Sequence, residues 1–152
     1  MEIEIITRSE YRRELIEKSA KFYAKQLNIS KSNYKVVIFT DPSLIKEHGA
    51  NGMAWSSTPG VGTIALYNRL PIGQLLATIA HEMVHIKQYI RGHFRTEKSR
   101  NGKDKKFWLG KQVLAKYEKQ PWEVEAYRKQ NILLDKLIDT VLSSESKKKK
   151  KK

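Results

Sequence analysis

The chain contains no cysteine. A disulfide framework, a thiolate metal site and a cysteine nucleophile are therefore excluded together. Histidine is also scarce, with four in 152 residues, so any metal site must combine those imidazoles with carboxylates. No apolar run approaches the ~18–20 residues of a membrane span, and no membrane partner is expected. The opening MEIEIIT lacks both a basic n-region and a long apolar h-region. It does not read as a signal peptide, and the default compartment is the cytoplasm. Acids are few: 16 against 30 Lys and Arg, a formal net charge of +14. Six of those cations form the run at 147–152, and the rest of the chain is still basic. Such a balance suits an anionic partner such as nucleic acid.

What is present suffices for one core. Apolar residues make up 39% of a chain of single-domain length. No repeat or linker divides it before Ser143, so residues 1–142 read as a single domain and 143–152 as a disordered poly-Lys tail. Thr7-Arg8-Ser9-Glu10 has the pattern of a capping box, which predicts an amphipathic helix over residues 8–28. YKVVIFT at 34–40 reads as a core strand, and a short helix follows Asp41-Pro42-Ser43 to end near Gly49. GMAWS at 52–56 and GTIALY at 62–67 flank a Pro-Gly turn and read as two further strands. A helix opened by Pro71-Ile72 is apolar nearly all round, which predicts burial, and should end near Arg91-Gly92. Residues 93–106 read as a basic loop or hairpin tip. Residues 108–117 are open between strand, hairpin arm and short helix, and Pro121 begins a last helix. The order predicts an α+β fold with a small mixed or antiparallel sheet.

The chemistry lies in His81-Glu82-Met83-Val84-His85. Residues four apart share one face of a helix, so both imidazoles can point at one ion. Zinc accepts such nitrogens at ~2.0–2.1 Å. Glu82 projects beside the pair, where a carboxylate can take the proton of a water activated by the ion. Titratable groups inside an apolar helix also need a partner to be tolerated.

A catalytic zinc site normally uses three protein ligands and one water. His93 is an imidazole candidate for the third place. The longer HExxHxxGxxH spacing is absent, because Gln88 and Arg91 stand where Gly and His would be needed. His48 lies in a turn and reads as a surface residue. A carboxylate from the last helix is the better choice, and Pro121-Trp122-Glu123-Val124-Glu125-Ala126 offers two. Positions i and i+2 point about 200° apart, so at most one faces the site. Ala126 lies on the Glu123 side, where a small residue allows close helix approach. Glu123 is favoured, and Glu125 reads as a first-turn acid complementing the helix dipole.

HExxH on a buried helix, followed by a helix bearing Glu-x-x-Ala, resembles the gluzincin class of zinc metallopeptidases. LATIAHEMVHIKQY, then WLGK and PWEVEAY, is similar to small SprT-like metallopeptidases common in phage genomes. The resemblance covers about residues 60–130. It implies a single zincin-like domain with His81, His85 and Glu123 as zinc ligands, and Glu82 as general base. It further implies a protein or peptide substrate, and the host cytoplasm as compartment if the chain is phage-encoded. Many gluzincins carry an acid four residues after the ligand Glu, to orient a ligand imidazole. Tyr127 stands there in this chain, and either its hydroxyl or Gln88 fills the role.

For a peptidase, Thr63, Ile64 and Ala65 are the candidate edge strand that pairs with substrate. Tyr117, Tyr127 and His93 are candidate oxyanion donors. Trp108 and Trp122 read either as packing or as an apolar wall of the cleft. Between residues 87 and 119 there are eleven cations and three acids, interleaved with Phe94, Phe107 and Trp108. That stretch, with the tail, could contact nucleic-acid phosphates while its aromatics stack on bases. The rival expectations are therefore a nucleic-acid-associated protein, its zinc site structural or serving DNA-tethered proteolysis, and an inactive metal-binding descendant. An intact Glu82 speaks against the latter.

Overall fold

Glu2-Ile3-Glu4-Ile5-Ile6 alternates polar and apolar side chains, the period of a half-buried strand. In the computed structural model this segment is β1 (Glu2–Ile6), a strand beyond the three expected before the buried helix. The structure describes residues 1–98, 100, 102, 104–114 and 120–150. Ile5 turns into the core, whereas Glu2 and Glu4 face outward towards Lys35, at 3.9 and 3.2 Å.

Helix α1 (Glu10–Gln26) starts later than the capping-box pattern suggested. Ser9 is its N-cap, accepting from the Arg12 amide at 3.2 Å. Thr7 is drawn elsewhere, because its hydroxyl accepts from Thr40 across the end of the next strand. That strand, β2 (Lys35–Asp41), leads into α2 (Leu44–His48), which closes on Gly49 in the left-handed region (φ 64°). β3 (Gly52–Thr58) and β4 (Val61–Tyr67) form a hairpin whose register slips between Trp55 and Thr58.

The sheet order is β1-β2-β4-β3, with β1, β2 and β4 parallel and β3 antiparallel to β4. This corrects the expected substrate edge. Thr63, Ile64 and Ala65 lie in β4, which is paired on both sides, and the free edge beside the site belongs to β3. The physical sign is the burial of Ile64, Ala65 and Leu66 together. A continuous apolar run suits an interior strand better than an edge.

Helix α3 (Ile72–Ile90) lies across β3 and β4 and packs against α1. Val36, Ile38, Ile64 and Leu66 from the sheet meet Ile79, Met83 and Ile86 in one core. Two glycines set how closely the sheet approaches this helix. A Cβ on Gly62 would lie 2.6 Å from Ile86 Cδ1, and one on Gly52 would lie 2.5 Å from Thr78 Cγ2 and 3.3 Å from Glu82 Cγ. The buried Tyr23 hydroxyl is satisfied by the Leu76 carbonyl at 3.0 Å, and burial pushes its pKa up.

The basic stretch forms a second small antiparallel sheet: β5 (Phe94–Lys98), β6 (Asp104–Trp108) and β7 (Lys111–Val113). Leu109 and Gly110 join β6 to β7 with φ of 51° and 84°, positive at both positions as a type I′ turn requires. Phe94 stacks on Trp122 with centroids 4.4 Å apart and is buried. Arg95 covers Phe107, and Trp108 faces His93. Phe94 is thereby committed to internal packing and does not present a face for stacking on bases.

Helix α4 (Pro121–Lys150) packs along α3. Its range includes residues 143–150 of the expected 143–152 tail, and 151–152 lie outside the described residues. No Gly or Pro interrupts the sequence after Pro121, lysine is a good helix former, and cations complement a helix C-terminus. Among the described residues, no helix is long and apolar enough to cross a membrane.

Candidate metal centre

Along α3, residues 75, 79, 83 and 86 face the sheet and α1, which turns His81 and His85 towards α4. On α4 the residues Glu123, Ala126, Gln130 and Leu133 recur at helical spacing and form the stripe that meets α3. Ala126 is fully buried, so the two helices can approach closely enough for a carboxylate to reach both imidazoles. Glu123 Oε1 lies 2.5 Å from His85 Nε2, and Glu123 Oε2 lies 3.5 Å from His81 Nε2. The donor atoms of His81, His85 and Glu123 all fall within 4.8 Å of one another, and all three residues are buried.

What lies behind the imidazoles decides which nitrogen is free. His81 Nδ1 meets Gln130 Oε1 at 2.8 Å, and His85 Nδ1 meets Gln88 Oε1 at 2.8 Å. The Gln88 amide has a defined orientation, because its Nε2 donates to the Trp122 carbonyl at 2.9 Å and to Glu125 Oε1 at 3.2 Å. Both of those partners only accept, so the Gln88 oxygen must face His85, whose Nδ1 then donates. That leaves each Nε2 as the nitrogen turned to the cluster, the arrangement that outer hydrogen bonds give a metal-ligating histidine.

Electrostatics match this geometry. Burial opposes a charge on His85, but the Glu123 hydrogen bond and the charges of Glu82 and Glu123 outweigh it and raise its pKa. A cation entering the cluster takes the place of the Nε2 proton, so binding weakens as pH falls. Burial raises the pKa of Glu82, against the opposing pull of His85 and His81. Glu82 Oε1 lies 4.0 Å from His81 Nε2, and its buried Oε2 has no hydrogen-bond partner among the described residues. A buried carboxylate oxygen of that kind is costly unless a ligand in the site uses it. Two imidazole nitrogens and a carboxylate suit a divalent transition ion, and the group could hold one.

A cleft of about 500 Å³ opens over the cluster. Residues 52–54 of β3 form one side, and Phe94, Thr96, Lys106 and Trp122 form the other. A second cleft of about 620 Å³ shares His81 and Glu82 and runs past His48, Thr78, Tyr127 and Gln130.

The four residues read as ligands and base, His81, Glu82, His85 and Glu123, are brought together. Gln88 orients His85, but Tyr127 does not supply the matching hydrogen bond to His81. Its ring packs edge-on against that imidazole at 4.5 Å, and Gln130 makes the bond instead. Gln130 escaped notice in the sequence; its signal was position i+7 from Glu123 on one helical stripe. Glu125 is more than a first-turn acid, since it fixes the Gln88 amide. His93 faces Trp108 and does not join the cluster, while His48 stands at the rim of both clefts. Tyr117 lies outside the described residues.

Gln88→Ala is expected to weaken metal binding about 10–100-fold, and Gln130→Ala by a similar factor, the usual effect of losing such outer partners. Competition against a chromogenic chelator measures both. No protein-family model, curated protein or solved structure matches the chain, so its own side-chain geometry must carry any reading of this centre.

Proposed function

We propose that the chain is a zinc-dependent metallopeptidase of gluzincin type, with a zincin-like fold in which α4 supplies the third ligand. The observation that carries this reading is the convergence of His81 Nε2, His85 Nε2 and the Glu123 carboxylate, with both Nδ1 atoms held by glutamine oxygens. Zinc held by these three side chains would act as a Lewis acid, polarising a scissile carbonyl and lowering the pKa of water to ~7.

The chain's own groups supply the remaining steps. Glu82 sits beside the ligands without belonging to the cluster, so its carboxylate can take the proton of the attacking water. The same carboxyl group would then pass that proton to the leaving amine nitrogen. The free edge of β3 lines the cleft at residues 52–54, where an extended peptide can add as a further strand. Gly52 in that strand lets α3 approach closely, since a Cβ there would lie 3.3 Å from Glu82 Cγ. Tyr127, at the mouth beside His81, is the remaining described candidate for hydrogen-bonding the developing oxyanion.

The test is a proteolysis assay on unfolded protein substrates with zinc-supplemented protein. Cleavage is expected, with loss on chelation and return on adding zinc. Cleavage that is indifferent to chelator would contradict the proposal.

A further inference from the structure

Away from the residues that line the peptide cleft, α3 and α4 border a half-open pocket of about 300 Å³ against the end of α1. Its charged lining is entirely cationic among the described residues: Lys87 and Arg91 from α3, and Lys129 and Lys136 from α4. The spacings are i,i+4 on one helix and i,i+7 on the other, so both pairs face inward on their helices. Gln26 and Asn28 add amide side chains at the rim, and Leu133 contributes an apolar, buried floor. An apolar floor lowers the local dielectric and makes repulsion among the cations more costly than on an open surface.

The nearby carboxylate offsets little of this charge. Glu125 lies 3.8 Å from Lys87 Nζ and 3.8 Å from Lys129 Nζ, longer than a hydrogen bond in both cases, and it also accepts from Gln88. Arg91 touches the Leu27 carbonyl only at 3.5 Å. The C-terminal end of α1 contributes a partial negative charge at this point. That still leaves four cationic side chains facing one carboxylate. Lysine and arginine converging on a small cavity provide the donors that a tetrahedral oxyanion accepts.

We propose that the cavity bounded by Lys87, Arg91, Lys129 and Lys136 is a binding site for a phosphate group, separate from the metal centre. The volume is ample for a phosphate group. The group can belong to a free phosphate or phosphate ester, or to one phosphodiester of a single-stranded nucleic acid. The site is independent of the peptidase reading and stands if that reading fails.

The experiment is a titration of the full-length protein with inorganic phosphate, with chloride adjusted to hold ionic strength constant, followed by amide chemical shifts. Saturable shifts are expected at Lys87, Arg91, Lys129 and Lys136. Lys129→Gln should weaken binding about tenfold or more, as expected for losing one charge-assisted hydrogen bond. Lys136→Gln, on an exposed turn of α4, gives a second test should the first variant fold poorly. A single-stranded oligonucleotide lacking terminal phosphates forms the other arm. If it displaces phosphate, the natural source is a nucleic-acid backbone; if it does not, the source is a free phosphate or phosphate ester. Shifts confined to residues around His81, or a response unchanged in both variants, would overturn the proposal. So would a loss of stability in the variants with no phosphate binding by the parent, since that assigns the cations to helix capping alone.

Discussion

Glu82→Gln should leave about one zinc per chain and reduce peptide hydrolysis by at least ~10²–10⁴-fold, the usual worth of a positioned general base. The two halves of this result come from different atoms. Glu82 does not belong to the group of converging donor atoms, so replacing its carboxylate leaves all three ligands in place. The amide has nearly the same shape and fits the space beneath Gly52, but it cannot accept the proton of the attacking water. Stability should hold or rise. Burial already penalises the carboxylate, and one of its oxygens is buried without a hydrogen-bond partner among the described residues. Thermal unfolding, zinc content and hydrolysis measured on one preparation separate a lost base from a lost fold. Equal hydrolysis by parent and variant would assign the activity to a contaminant.

Glu123→Ala should cost the protein its metal, whereas Glu125→Ala should keep it. The loss in the first case should exceed the about 10–100-fold that an outer hydrogen-bond partner contributes. Glu123 reaches both Nε2 atoms from a neighbouring helix, and without it two histidines one turn apart must hold the ion alone. Glu125 lies two residues on and points away from the cluster, towards Gln88, Lys87 and Lys129. Its removal deletes one of two acceptors of the Gln88 amide, while the Trp122 carbonyl still fixes that group. A weakening within the range expected for Gln88→Ala is the most that Glu125→Ala should cause. Titration with zinc against a competing chelator reads both variants on one scale. Metal retained by Glu123→Ala and lost from Glu125→Ala would reverse the assignment of the ligand.

The centre was legible in the sequence because its parts are local. His81, Glu82 and His85 sit within five residues of a buried helix, and the 3.6 period places the imidazoles together. Glu123 needed one further step, the small Ala126 three residues on. Gln130 shares a stripe of α4 with Glu123, seven residues on, but its meeting with His81 depends on how α4 sits against α3. The hydrogen bond from Gln88 to the Trp122 carbonyl has the same character, since a main-chain acceptor leaves no trace in residue type.

Sheet topology was less legible for a related reason. The hairpin of β3 and β4 is written in its Pro-Gly turn, but the neighbour on the other side of β4 is β2, reached through a crossover. Reading GTIALY as an edge followed from its nearness to α3 along the chain, whereas its unbroken apolar run marked an interior strand. β1 is written in the alternation of Glu and Ile through MEIEIIT, a signal only five residues long. The end of α4 is a case of its own. A run of lysines reads as a solvated tail by charge, yet nothing in it breaks a helix already under way.

The central claim is that His81, His85 and Glu123 together hold one zinc ion. Elemental analysis of the protein purified without added metal or chelator tests it most directly, with His85→Ala prepared alongside. About one zinc per chain is expected in the parent and almost none in the variant. A parent without zinc that also fails to take it up on titration would rule out this ligand set, as would a variant that retains it in full.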